Sequence, residues 1–460
     1  MNFQAVRVIP IEMKKKSPVP IIQISGALAK RLKLPEDISI CTVQCSRNTI
    51  PCNIVNINIE GNLVRMDRTI QESLLLFEEE RTYLITYDAE SNKLHIGPVI
   101  ALLTEISIKE NEQIDLKSIE DYCMELANYS EDIGVIFYVF TLHKELSEKS
   151  MEGFYLENNM WNKALLPFPQ VVHNRLHKRT NEKSEMFREF TDQLQEWSIP
   201  YFNDHFLDKW TVHEQLAEAE HLLPYLPDTA LFSAKRLEAW LETYSVVFLK
   251  PINGSQGKQI FKVCKTSDGF NLDYSSLQQQ VSQTYSSFHD LYKRLSPHIK
   301  KRQYILQQGL NLVHLDERPV DFRYLCHRTE NNRWQVTSIT ARASKSGSFV
   351  SNLAQGGEML SVNHVLGAQF DAKEMPQIRK HLKELALEVA REIGAVSEGI
   401  FGELGIDLAI DTTGHPWIIE VNTKPSKNLD QPQSTRTIRP SAKAVILYCL
   451  YLIHEHLKER

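Results

Sequence analysis

The stretch "WIIEVNTKPSKN", Trp417 to Asn428, decides the reading of this chain. It runs like a buried strand, yet it carries Glu420 and Asn422 two residues apart and ends in Lys424 and Pro425. Side chains two apart on a strand share a face. The residues before it, "LGIDLAIDTTG" at 404–414, supply the other arm of a hairpin whose loop lies near Thr412 to His415. If Asp411 pairs with Pro416, the antiparallel register sets Asp407 opposite Glu420. Asp407, Glu420 and Asn422 then share one face, and Ile406, Leu408, Ile419 and Val421 turn to a core on the other.

Directly opposed side chains on a sheet have Cβ atoms about 4.5–5.5 Å apart, and like charges at that distance are destabilising. Something must compensate. Two carboxylates and an amide oxygen form a hard, all-oxygen set, which suits Mg²⁺ shared with phosphate oxygens. Carboxylates facing solvent, or paired with Lys or Arg, satisfy the same pattern.

A second stretch, "SVVFLKPINGSQGKQIFKV" at 245–263, is complementary in charge. An apolar strand delivers Lys250, Pro251 stiffens the exit, and Gly254, Ser255, Gln256 and Gly257 follow as a loop before the next strand. Glycines let backbone N–H groups close over phosphate oxygens. The spacing is not that of a Walker A loop, and a plain turn has the same composition. A lysine emerging from a buried strand, however, needs an anionic partner. Arg323 in "VDFRYL" and Arg342 in "ITARAS" also lie on strand-like stretches. Arginine suits bidentate contact with phosphate or carboxylate, and neutralising Asp321 or a nearby Glu is the alternative for each.

The rest of the chain bounds the problem. Its 460 residues are 42% apolar and 24% charged, with a formal net charge of -6. That is a globular composition, and the acidic balance argues against a general nucleic-acid or acidic-membrane binder. Seven cysteines are too sparse for a disulfide framework, and Cys41, Cys45 and Cys52 read as buried strand residues. Lys14, Lys15 and Lys16 precede a short apolar stretch broken by prolines, unlike a signal peptide. The ten-residue run "AVILYCLYLI" at 444–453 is half of the roughly 20 residues a membrane span needs, so a buried terminal helix and a cytoplasmic location are expected. "HEQLAEAEH" at 213–221 lacks the second His of a zincin motif, with Ala217 in its place.

Three regions are expected. Residues 1–104 read as short strands with turn signals, a small β-barrel or sandwich, with one helix at "SGALAKRLKL" capped by Ser25. Residues 105–205 alternate helix and strand, an α/β pattern whose ligands usually sit at strand C-terminal ends, where Asn174 and Arg175 fall. Residues 206–460 mix strands and packed helices, an α+β domain.

In the order of the chain, "FLDKW", "LPDT", "VFLKPINGSQG", "YILQQGL", "VDFRYL" with "AR" and "SNLAQGGE", and "GIDLAIDTTGHPWIIEVNTKP" together resemble the ATP-grasp superfamily over about 206–428. The later motifs are similar to its glutathione synthetase and ribosomal-protein glutamate ligase branch. The "LHIGPVIALL" ending of the β-rich region and Lys424 before Pro425 further resemble the YheC/YheD-type, endospore coat-associated group, in particular its longer, YheD-like members.

The resemblance implies two α+β subdomains clasping ATP, preceded by an α/β pre-ATP-grasp domain and the β-rich N-terminal domain. It implies two Mg²⁺ ions on Asp407, Glu420 and Asn422. Lys209 and Lys250 would meet phosphates, and the Gly254–Gly257 loop would cover them. Gln307, Gln308 and Leu310 would form the adenine hinge, and Asn352 would orient the γ-phosphate or a metal. Arg323 and Arg342 would stabilise the phosphoryl group, and Lys424 would hold a substrate carboxylate. The activity implied is an ATP-dependent carboxylate–amine ligase working through an acyl phosphate on unknown carboxylate and amine substrates. The alternative is a nucleotide-binding coat-assembly protein without turnover, with spore coat proteins as partners. Val350, Gly405 and Ser426 depart from the ligase pattern, all on the acceptor side.

Overall fold

The computed structural model describes residues 3–12, 19–110, 113–144, 146–254, 259–275, 280–345, 356–427 and 438–458. The expected site residues Ser255, Gln256, Gly257 and Asn352 lie outside these, as do Val350 and Lys14 to Lys16. The chain gathers into two compact units. One is Met1–His205 with Arg328–Arg333 and Pro432–Arg460; the other is Phe206–His327 with Trp334–Gln431.

In the first unit, among the described residues, seven strands close into a barrel. Around it run Gln4–Ile11, Leu63–Asp67, Ile21–Ser25, Asn48–Ile57, Ile40–Cys45, Lys93–Ile96 and Arg81–Asp88, which pairs back to the first. Period-two alternation fills it: Val6, Val8, Ile22, Ile24, Val43, Val64 and Ile85 all point inward with no exposure. Cys41 and Cys52 face each other in register, and burial pushes their thiols up to about 11 and about 12. They act as small apolar fillers. The expected helix is Gly26–Leu32, with Ser25 Oγ accepting the Leu28 N–H at 3.3 Å.

The barrel hands over to an α/β sheet at Gly97 and Pro98, ahead of the expected boundary at 104. Val99–Leu103 pairs in parallel with Ile136–Phe140 and Val171–Asn174, and the first two of these strands are wholly buried. Continuous apolar runs of this kind are covered on both faces. A hairpin, Ser150–Glu157 with Met160–Pro167, extends one side. Ala444–Ile453 lies within the helix Pro440–Lys458, whose Val445, Ile446 and Cys449 pack with Tyr122, Cys123 and Leu126 of the helix Glu120–Ile133. Arg439 joins Glu125 at 2.7 Å beside them.

The second unit, among its described residues, has two main antiparallel sheets. One runs Thr229–Leu231, Tyr304–Gln308, Val246–Pro251, Phe261–Thr266, Gly269–Ser275 and Gln280–Tyr285. Leu237 and Leu241 of the helix Ala234–Thr243, with Leu291 and Leu295 of the helix Phe288–Ile299, pack on its Val247, Leu249, Val263 and Leu306. The other runs Glu358–Leu360, Trp334–Ala343, Arg318–Arg328, Glu403–Ile410 and Pro416–Asn422. On its apolar face lies the helix Met375–Val396, whose Leu382, Leu385, Val389 and Ile393 recur at helical spacing and are buried. Each such leucine removed from water contributes about 1.5–3 kcal/mol. That face anchors the sheet and leaves the opposite one for polar side chains.

The hairpin of Glu403–Ile410 and Pro416–Asn422 turns at Asp411, whose Oδ1 accepts the N–H groups of Thr413 and His415 at 2.9 and 3.0 Å. Asp407 faces Glu420 as the alternation predicts, but Ile410, rather than Asp411, pairs with Pro416. A bulge between these points takes up one residue. Ile418 therefore packs in the core where Ile419 was expected, and Ile419 turns outward half-buried.

Candidate functional site

Four strands of the second sheet carry a row of charge. Arg323 stands in register with Asp407, and Asp407 with Glu420. Arg342 comes from the neighbouring strand Trp334–Ala343. Arg323 binds Asp407 through two nitrogens, Nε to Oδ1 and Nη2 to Oδ2, the latter at 2.8 Å. Arg342 Nη2 reaches Asp407 Oδ1 at 2.9 Å while its Nε donates to Asp321 at 2.5 Å. Asn422 Nδ2 lies 3.3 Å from Asp407 Oδ2. The compensation expected from a metal ion is thus supplied to Asp407 by two guanidiniums, and Arg342 does neutralise Asp321.

Burial opposes charge on Asp407, yet Arg323 and Arg342 hold its carboxyl below the ordinary value. Burial likewise penalises the Arg342 cation, while Asp407 and Asp321 keep it above its ordinary range.

Glu420 is paired separately. Lys209 is the first residue of the helix Lys209–Ala217, whose N-cap Asp208 accepts the Trp210 and Thr211 N–H groups at 2.9 Å. Its Nζ donates to Glu420 Oε1 at 2.5 Å and to the Gly254 carbonyl at 3.2 Å. The Glu420 side chain keeps 32% exposure. It borders an open pocket of about 460 Å³ that is also lined by Lys209, Lys250, Gln307, Thr229, His213 and apolar side chains such as Ile305, Leu226 and Val421.

Lys250 enters this pocket from the strand Val246–Pro251. Its Nζ donates to Gln307 Oε1 at 2.5 Å, and Gln307 Nε2 donates to Thr229 at 3.2 Å. Burial pushes the Lys250 ammonium down to about 8, helped by Lys209 and opposed by Glu420 and Asp407. Burial also lowers His213, against Glu214 and Asp228. A pocket with apolar walls and two lysines at one end can hold a flat ring and its anionic tail.

The "YILQQGL" segment opens with the strand Tyr304–Gln308. The Gln308 and Gly309 N–H groups already donate to Asp228 and Val246 carbonyls at 2.9 and 2.8 Å. Gln307, whose side chain bonds to Lys250 and Thr229, lines the pocket, and Gln308 and Leu310 do not. Lys424 sits half-buried with Nζ 4.8 Å above the Phe206 ring. A Cβ at Gly405 would come within 2.8 Å of Pro425 and 3.4 Å of the Arg323 side chain. The space beside Gly405 is therefore already filled by Pro425 and the Arg323 side chain.

Some participants were not foreseen: His213 and Thr229 in the pocket, and a fully buried Glu403 that accepts from Lys427 and lies 3.2 Å from His327. Asp407, Glu420 and Asn422 fit a hard cation in donor chemistry. Asp407 does so only when its guanidinium partners release it. Among the described residues no cluster of three His, Cys, Asp or Glu side chains is placed to hold a metal ion.

A family model described as YheC/D like ATP-grasp matches residues 198–452, more than half of the chain. The chain belongs to the YheC/D-like ATP-grasp family. The matched residues take in the whole of the second unit. This ATP-grasp chain is 28% identical over 370 residues to the endospore coat-associated protein YheD of Bacillus subtilis, covering 80% of each chain. It is 22% identical over 340 residues to YheC of the same organism, covering 72% of this chain and 90% of that one. Among solved structures, D-alanine–D-alanine ligase from Coxiella burnetii aligns with a TM-score of 0.47 at 9% identity, over 79% and 96% of the two chains. D-alanyl-alanine synthetase A from Vibrio cholerae gives 0.45 at 14%, over 78% and 99%.

Proposed function

We propose that the second unit binds ATP and joins a carboxylate to an amine through an acyl phosphate. The observation that carries this reading is the continuity of the pocket with the charged row. Lys209 and Glu420 belong to both, so one end of a ligand held there meets cations and a carboxylate at once.

In this reading Lys209 and Lys250 neutralise the inner phosphates, and Gln307 with His213 borders the base. The Gly254–Gly257 loop covers the nucleotide and Asn352 orients its outer phosphate, while Gln308 and Leu310 fall outside the pocket lining. Asp407, Glu420 and Asn422 hold Mg²⁺, which when bound shields phosphate charge and polarises the phosphoryl oxygens. Arg323 and Arg342 stabilise the charge that develops on the transferred group. Lys424 holds the substrate carboxylate. A carboxylate oxygen attacks the γ-phosphorus as the bond to ADP breaks. The amine nitrogen then attacks the acyl carbon, phosphate leaves, and the nitrogen loses a proton.

The test is ADP release that depends on the acceptor offered. Incubation with ATP, Mg²⁺ and a sporulating-cell extract is expected to yield a product one water lighter than its precursors by mass spectrometry. Equal ADP release with every carboxylate and amine removes ligation.

A second reading has its own observation. Asp407 is fully engaged by two guanidiniums, which suits a protein that binds nucleotide without turning it over. Such a protein would act in spore coat assembly, as the names of its relatives suggest. It predicts nucleotide-dependent association with coat proteins that survives Glu420→Gln. No helix among the described residues is long and apolar enough to cross a membrane.

A further inference from the structure

The charged row has a balance that the proposed reading leaves unused. Among the described residues four cations, Lys209, Lys250, Arg323 and Arg342, surround three carboxylates, Asp321, Asp407 and Glu420. A free divalent cation entering this set would deepen a positive excess and would have to displace two guanidiniums from Asp407, which is 4% exposed. A metal-free polyphosphate would bring a large negative excess. The two together nearly cancel.

The geometry supplies the means. Arg323 grips both oxygens of Asp407, and Arg342 bridges Asp407 and Asp321. A guanidinium recognises a carboxylate and a phosphate with the same planar fork. Phosphate oxygens can therefore draw it off the carboxylate without leaving either charge unpaired in a buried place, which is the costly alternative.

We propose that Arg323 and Arg342 form a latch on Asp407 that excludes a free divalent cation, so that the site admits metal only together with a polyphosphate. Arg342 is the principal latch, because it holds two carboxylates at once. This rests on the reading of the pocket as a triphosphate site, and it adds the order in which the metal and the nucleotide are taken.

The probe is Mn²⁺, followed by the electron paramagnetic resonance signal of the free aqua ion, with the full chain. Wild type with Mn²⁺ alone is expected to leave the signal unchanged. Wild type with Mn²⁺ and the non-hydrolysable β,γ-imido analogue of ATP is expected to remove more of it than the analogue does without protein. Arg342→Met should bind Mn²⁺ without nucleotide, about tenfold or more tighter than wild type, and should show a metal-dependent rise in Tm that wild type lacks. Should that variant not fold, Arg342→Lys keeps the charge, cannot bridge in the same way, and is expected to change in the same direction.

Wild type that takes up Mn²⁺ alone as tightly as with the analogue overturns the latch while leaving the triphosphate reading standing. An analogue that does not bind with or without Mn²⁺ overturns both. Equal Mn²⁺ affinity of wild type and the folded Arg342 variant, measured without nucleotide, also overturns the latch.

Discussion

Two carboxylates on one strand, Glu403 and Asp407, meet cations in two different ways. Both lie in register with a basic residue of the strand Arg318–Arg328: His327 opposite Glu403, and Arg323 opposite Asp407. They share a face, being four residues apart. The Glu403 cluster is closed. Lys427 and His327 converge on its Oε2, and Thr337 meets His327 Nδ1 at 2.7 Å. The Glu403 and Lys427 side chains are 0% and 1% exposed. The Asp407 row, by contrast, continues through Glu420 and Lys209 into an open pocket. Burial and pairing alone therefore do not mark a site. What distinguishes the second region is an excess of cations over carboxylates at the edge of a cavity.

The comparison breaks most readily at Glu403. Glu403→Ala leaves the Lys427 ammonium inside without this carboxylate, and removal of one partner of a buried pair costs about 3–5 kcal/mol. Glu420→Ala, at a partly exposed pair, should cost about 1 kcal/mol or less. Urea midpoints of the two variants measure the difference. Equal losses would mean that the two regions are both structural.

Turnover should invert that order. Glu420→Gln keeps the shape and removes the charge, and ADP release in the presence of Mg²⁺ should fall by at least about 10²-fold with little change in Tm. A variant that releases ADP at the wild-type rate would leave Glu420 as a surface partner of Lys209.

Much of the Asp407 region was legible in the sequence, because strand alternation carries it. Counting back from an Asp411–Pro416 pairing sets Asp407 against Glu420, but the pairing at the turn is one residue off and the bulge between Asp407 and Leu408 restores the facing. The bulge did not show, since Ile418 and Ile419 are both apolar and either satisfies the core. The guanidinium partners were visible as an open alternative, and their choice of Asp407 depends on a strand order that residues 318–410 do not spell out. Lys427 was hidden for another reason. A lysine in a polar stretch after a strand reads as solvated, and its partner lies on a different strand. The hairpin Ser150–Glu157 and Met160–Pro167 passed unread although Asn158 and Asn159, with φ of 50° and 60°, form the kind of turn that asparagine favours.

Gly405 lies between the two carboxylates and sharpens the comparison. Gly405→Ala places a Cβ 2.8 Å from Pro425 and 3.4 Å from the Arg323 side chain, so one of them must move. Overpacking of this kind costs about 1–3 kcal/mol, measurable as a lower Tm. Because Pro425 stands between Lys424 and the buried Lys427, the strain should weaken both regions together. A variant with unchanged Tm would show that the segment after Asn422 is free to shift.

Lys250 gives the clearest sign. Its folded-state ammonium is pushed down to about 8 by burial, below the ordinary lysine value of about 10.4. Between these values the unfolded chain binds a proton that the folded chain has released, so wild-type stability gains with rising pH across that window. Below about 8 both states are charged and the cost of burying the ammonium is fully present. Lys250→Met removes the cost and the slope. The variant should be more stable than wild type at pH 7 by up to about 3 kcal/mol, the gap closing as pH approaches about 10.4, and it should bind nucleotide more weakly. The difference between the two urea midpoints, followed against pH, isolates this one group from the other lysines. A cation that destabilises the free protein yet strengthens ligand binding belongs to the open region, whereas Lys427, removed in the same way, should lower stability at every pH where Glu403 is ionised. If the two lysines instead respond alike, the distinction between closed cluster and open row fails at its most sensitive point.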